Sequence, residues 1–225
     1  MKRVPLRSVL VAALLSGAGA VPSTSVLAAA LAPTSYAMPN GDGQASGGSF
    51  NYWDAPYAPS SANNTVDGAA LSGGLGKLTD GVVATLRWDF VSNDAGTGQY
   101  VGWLRRTTPD PLISFNFAGN VIIDSISIQL DNSGYGGVFA PSEILVDGVT
   151  QSFVAPTLGT VGSVIFSGLN LSGNTHSVQF RQAGDTWTFV SEISFDGRAE
   201  APEPVSLALL GLGLTGIACA RRRRH

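Results

Sequence analysis

The 225-residue chain has a single cysteine, Cys219, and two histidines, His176 and the terminal His225. An internal disulfide is therefore excluded, even in a compartment that would permit one. Cysteine-based sites, multi-histidine zinc sites and Cys–His dyads fall with it. Lysine is almost missing, with Lys2 and Lys77 the only two, and charged residues make up 13% of the chain. Between residues 38 and 201 six basic residues (Lys77, Arg87, Arg105, Arg106, Arg181, Arg198) face fifteen acidic ones, a net charge of −9, against −3 for the whole chain. Such a domain is unsuited to nucleic acid, whose binding relies on Lys and Arg neutralising phosphate. Carboxylate-rich loops with mostly Asp suit hard divalent cations such as calcium instead.

The missing positive charge is concentrated at the two ends. Lys2, Arg3 and Arg7 precede an apolar stretch from Val9 to Ala20, the layout of a secretory signal. Small-residue cleavage sites follow at Ala18-Gly19-Ala20, Val26-Leu27-Ala28 and Ser35-Tyr36-Ala37, and a signal spanning 1–37 is expected. At the other end the apolar run Val205–Ala220 would reach about 24 Å as a helix, slightly short of the roughly 30 Å hydrocarbon core. Arginines at its end can snorkel to make up part of the difference and favour the cytoplasmic side. Pro202 and Pro204 stop that helix from running back into the domain.

Pro202-Glu203-Pro204, then a Leu/Gly-rich span, then Arg221, Arg222, Arg223 and Arg224 resemble the PEP-CTERM sorting signal of exported proteins of Gram-negative bacteria. The resemblance covers residues 200–225. It implies recognition and removal by an exosortase, a membrane-embedded sorting protease. The precursor would then be held transiently at the inner membrane, and the product delivered to the cell surface or extracellular matrix. Gly211-Leu212-Gly213-Leu214-Thr215-Gly216 satisfies G-x-G-x-x-G, but the chain ends nine residues later, so the acidic residue a dinucleotide site requires is missing. Gly73–Leu78 is not a phosphate loop either, because no Ser or Thr follows Lys77.

The middle of the chain alternates with a period of two. Ile113, Phe115 and Phe117 share a face, as do Ile126, Ile128 and Leu130, and Val178 with Phe180. Asp147-Gly148 signals a hairpin. In the last strand Trp187, Phe189, Ile193 and Phe195 read as one face and Glu192 as the other. Six or more short strands with turns every 8–12 residues predict an all-β fold, an antiparallel β-sandwich over 76–199. The pattern-poor segment 38–75 reads as loop wrapping that sandwich, with the two terminal tags as flanking helices.

"KLTDG" (77–81), "RWDF…YVGW" (87–103), "DPLISFNF" leading into "SISIQLDN", and "FVSEISFDG" resemble the galactose-binding-like jelly-roll superfamily, which includes discoidin domains and many carbohydrate-binding modules. That resemblance covers about 70–198. It implies a structural calcium held by Asp80 and Glu192, with main-chain carbonyls around Lys77 completing the six to eight oxygens required. It also implies a sugar site on loops at one end, with Trp53, Arg105, Arg106, Asn132 and Tyr135 as candidates. Against this, Trp88, Trp103 and Trp187 suit a core, the two arginines could simply pair with Asp89 or Asp94, and His176 reads as a strand-end packing residue. The expected function is non-enzymatic adhesion to exopolysaccharide. The alternatives are a structural biofilm or envelope component without a ligand and, third, a carbohydrate-active enzyme, for which no carboxylate pair stands out.

Overall fold

A computed structural model describes residues 28–43, 50–59 and 63–200. Residues 1–27 of the expected signal and, at 201–225, the expected helix and the arginines of the sorting signal lie outside the described residues, among which no helix is long and apolar enough to cross a membrane. The described residues form nine strands, β1 (Ala29–Leu31), β2 (Ser35–Pro39), β3 (Ala70–Gly74), β4 (Val101–Leu104), β5 (Leu112–Asn132), β6 (Glu143–Val146), β7 (Val149–Gln151), β8 (Thr160–Arg181) and β9 (Trp187–Ala199), and one short α-helix, α1 (Trp88–Val91).

Every ladder is antiparallel, and β5 and β8 organise them. Both are far longer than an ordinary strand of 5–6 residues, and their mutual pairing slips between Asn116 and Val121 and again between Ile123 and Ser125. Before the first slip β5 pairs with β2 on one side and the end of β8 on the other, and β8 passes the sheet on to β6 and β7. Beyond it β5 pairs with β9, which also carries β1 and β4. The two long strands thus run through both layers of an antiparallel sandwich.

The alternating residues fill the space between the layers. Ile113, Phe115, Ile126, Ile128, Leu130, Val178 and Phe180 are buried there, joined by Tyr36, Trp103, Val190, Ile193 and Phe195. Trp187 and Phe189 do not join them. The β5–β9 register slips between Gln129 and Leu130, so Glu192 pairs with Gln129 but Val190 pairs with Leu130, leaving Ser191 as an extra residue. A bulge of one residue reverses the parity of a strand. Trp187 and Phe189 therefore fall in a second apolar cluster with Tyr52, Ala84, Tyr100, Leu104 and Val138, on which Phe50, Trp88 and Val91 pack. This outer cluster is closed by the 50–58 and 82–100 segments, so β9 is buried continuously from Trp187 to Ile193.

Two expected boundaries move. The expected signal boundary at residue 37 falls inside β2: β1 pairs with β9, and β2 pairs with β3 and β5. Tyr36 is 0% exposed, packed on Phe115 and Tyr57. The segment 38–75, read as wrapping loop, contributes the end of β2 and all of β3. At five residues each, neither strand shows alternation long enough to register.

Candidate functional site

Two regions hold the residues singled out from the sequence. The first lies where the turn Lys77–Thr79 meets β9. Asp80 and Glu192 line one depression of ≈370 Å³ together with Gly81, Thr79, Leu31 and Ser194. Glu192 is buried rather than facing water, and its Oε2 accepts from Gly81 N at 3.1 Å. Burial first, then the Asp80 charge, pushes the Glu192 carboxyl up to about 7. Burial also raises Asp80. The Thr79 hydroxyl is buried without a partner among the described residues.

Two coupled carboxylates and an orphaned oxygen on one depression fit a hard cation, which would favour the ionised forms both groups now disfavour. No cluster of three or more His, Cys, Asp or Glu occurs among the described residues, so main-chain oxygens would have to supply most of the shell. The Lys77 side chain is directed elsewhere: its ammonium donates to the carbonyls of Trp53 and Tyr100. Burial pulls it down to about 8, with Asp54 and Asp80 opposing.

Asp54, wholly buried, accepts from the Tyr36 hydroxyl and from Lys77 N. Burial raises the Asp54 carboxyl despite these donors. A side chain at Gly76 would come within 2.4 Å of Asp54 Oδ1, so that contact requires glycine. This network ties β2, the 50–58 segment and the Lys77–Thr79 turn together beneath the carboxylates.

The second region is the end of the sandwich where β4 stops and β9 begins. Tyr135 projects from a tip built on Gly134, Gly136 and Gly137, all at positive φ, and is 52% exposed. A side chain at Gly136 would approach Trp88 Cζ2 to 2.8 Å. The Arg87 guanidinium lies 4.0 Å above the Tyr135 ring and 5.1 Å from Phe90, which is 69% exposed. It also forks onto Asp89, with Nε–Oδ1 2.5 Å and Nη2–Oδ2 2.8 Å, and that bond chiefly holds the Asp89 carboxyl below its usual range. Buried Asp131 joins the two loops by accepting from Trp88 N at 2.8 Å and from Ser133 N at 2.7 Å. Trp88 is half-buried, its indole donating to the Tyr135 carbonyl at 3.1 Å and its ring meeting Phe50, Tyr52 and Phe189 edge-on. Trp103 and Trp187 are core residues.

The remaining candidates have other partners. Asn132 is buried, its amide donating to the Pro156 carbonyl at 2.6 Å and its oxygen accepting from Ala140 N at 2.9 Å. Trp53 donates to Asp67 at 2.7 Å beside Gly43 and Gly96. Arg105 and Arg106 line a depression of ≈320 Å³ with Pro109, Gly184 and Asp185. Arg106 pairs with Asp185 at 3.3 Å, not with Asp89 or Asp94. Trp53, Arg106 and Tyr135 each have different partners among the described residues: Asp67, Asp185 and the Arg87–Trp88 pair, respectively. His176 is buried as expected, with the added bond of Nδ1 to Asp147 Oδ2 at 2.7 Å. The sequence reading missed Arg87, Asp89 and Phe90. The signal was the apolar–charged alternation of "LRWDF", whose Leu86 and Phe90 are exposed.

No curated protein matches the sequence. Among solved structures the chain is similar to a striped bass (Morone saxatilis) serum f-lectin (fucolectin), with 9% identity, TM-score 0.39, 76% of this chain and 80% of that one covered. It is also similar to a Streptococcus pneumoniae β-galactosidase structure (12%, TM-score 0.37, 53% and 82%). A third is the family 32 CBM of C. perfringens NanJ in complex with galactose (17%, TM-score 0.27, 39% and 66%). Residues 200–224 match the PEP-CTERM protein-sorting motif, which implies export, processing by an exosortase and a place at the cell surface. Residues 33–151, more than half the chain, match the DS-like domain of discoidin domain-containing receptor 1/2, and the chain belongs to that discoidin-like family.

Proposed function

We propose that this exported protein presents a carbohydrate-binding discoidin-like domain at the cell surface or in the matrix, where it adheres to exopolysaccharide. The observation that carries the reading is the Arg87 guanidinium placed between the exposed rings of Tyr135 and Phe90 and forked onto Asp89. A pyranose needs an aromatic surface for its C–H face and planar charged groups for its hydroxyls. Tyr135 and Phe90 supply the first, Arg87 the donors and Asp89 the acceptor. Asp131 fixes both loops in advance, which lowers the ordering cost of binding. The test is a glycan array probed with the full-length chain in detergent micelles, including the host's own exopolysaccharide. Binding that is lost in Tyr135→Ala and Arg87→Ala supports the reading. Absence of binding to any glycan leaves a structural component without a ligand.

A calcium ion bracing Asp80 and Glu192 belongs to the same reading, supported by the two carboxylates raised toward neutrality side by side. Their side chains and nearby carbonyls would hold it, and it would fix the Lys77–Gly81 turn against β9. Calorimetric melting with calcium and with a chelator tests it: an upward shift with calcium is expected, and coincident transitions overturn it.

A further inference from the structure

Resting on the carbohydrate-binding reading, we infer that the depression at Arg105 and Arg106 is an anion subsite that takes the carboxylate of a uronic acid residue, so that the preferred ligand is an acidic polysaccharide. Charge pairing singles the place out. Among the described cations, Arg87, Arg106, Arg181 and Arg198 each meet a carboxylate, and Lys77 is buried near Asp54 and Asp80. Arg105 is the one described arginine with no carboxylate partner among the described residues, and it is exposed on a depression of ≈320 Å³. An acidic domain that pairs its other described arginines leaves this one open.

The neighbouring Arg106–Asp185 pair does not close the subsite. It is a single 3.3 Å contact between side chains that are 62% and 53% exposed, a kind of pair worth little in water. A bidentate carboxylate on the Arg105 guanidinium fork is a stronger contact, so the ligand's charge rests on Arg105 while Arg106 stays with Asp185. Pro109 and Gly184 give the depression an uncharged floor on which a sugar ring can rest.

The frame is built before any ligand arrives. Thr107 N and Thr108 N both donate to the Leu104 carbonyl, at 2.9 and 2.8 Å, making a tight turn directly after β4. Asp42 holds that turn from beneath, accepting from Leu104 N at 2.6 Å and from the Thr108 hydroxyl at 2.7 Å. Arg105 N donates to the Thr186 carbonyl at 3.1 Å, and the Gln182 amide spans the Trp103 and Thr186 carbonyls at 2.7 and 3.3 Å. Both lining loops are therefore pinned to strand ends, the placement a precise charged contact needs. The net negative charge of the domain does not forbid a polyanion, since at physiological salt repulsion beyond about 8 Å is screened while the contact pair is not.

The experiment compares polygalacturonate with its fully methyl-esterified form, which keeps the backbone and removes the charge, using the full-length chain in detergent micelles. Wild type is expected to bind polygalacturonate about tenfold or more tighter than the ester. Arg105→Gln should erase that difference without weakening ester binding, and Arg105→Lys, which keeps the charge but not the fork, should fall between. Equal affinities in wild type, or a difference that survives Arg105→Gln, overturn the anion subsite while leaving carbohydrate binding intact. Failure of both polymers to bind overturns the subsite as proposed, and the glycan array then decides the broader reading. Dextran sulfate is the remaining arm: binding it as tightly as polygalacturonate, with the same Arg105 dependence, overturns the assignment to a carboxylate.

Discussion

The two apolar clusters on either side of β9 are built on different plans. The inner one is supplied by strand residues two apart, such as Ile113 with Phe115 and Ile126 with Ile128, and aliphatic side chains dominate it. The outer one draws on loop residues scattered from Phe50 to Val138 around Trp187 and Phe189, and its contacts are ring on ring: Tyr52 lies 4.6 Å from Phe189 and 5.0 Å from Trp187. The inner cluster holds the layers together. The outer one clamps irregular chain onto a finished sheet, and through Trp88 it sets the height of the Tyr135 tip. Stability and the proposed recognition site are thus carried by opposite faces of one strand.

Breaking the inner side should cost most. Phe115→Ala, which removes a wholly buried ring in contact with Tyr36 and Phe195, is expected to lose about 3–5 kcal/mol in denaturant unfolding. Trp88→Ala on the outer side removes four partly exposed ring contacts and should cost about 1–3 kcal/mol, with glycan binding lost while cooperative unfolding is kept. Tyr135→Ala is expected to stay within about 0.5 kcal/mol of wild type and still reduce glycan affinity about tenfold, as read by titration calorimetry. If instead Trp88→Ala left binding untouched, the division between the two faces would be wrong.

Beneath these lies a pH effect. Folded Glu192 titrates at about 7, above its ordinary value of 4.5, so the folded state binds the proton more tightly. Its stabilising contribution is complete below pH about 4.5 and is lost as the pH rises through about 7. Asp42, raised chiefly by burial to about 6, behaves likewise over a lower window. In chelator the Tm should fall between pH 5 and 7.5. Glu192→Gln should remove the upper part of that fall, and calcium, by favouring the carboxylates, should suppress it in wild type.

What was legible from the residues follows the same division. Period-two alternation in β5 and β8 and the Asp147-Gly148 turn were readable because each depends on local pattern or on a short motif, whereas Asp80 and Glu192 were brought together only by the family resemblance. The parity of β9 was not, since nothing in "WTFVSEISF" marks Ser191 as a bulge; that depends on which residues of β5 face it. The role of Arg87 was hidden for a similar reason, because its ring partners come from positions three and forty-eight residues away. Tyr135 was recognisable as an exposed tip from its glycines. Asn132 looked equally available, yet the Pro156 and Ala140 backbone groups that occupy it come from segments with no signature of their own.

The pairing of Ala29 with Gly197 also has a kinetic meaning. The first strand cannot find its place until the last has been delivered, so this topology makes completion of the sandwich a late, non-local event of the slow class. The strand that receives it ends at Ala199, one residue before the sorting motif begins. Closure of the domain therefore waits for the residues that lie directly ahead of its address, and a chain truncated within that strand would lose both the partner of its beginning and its address.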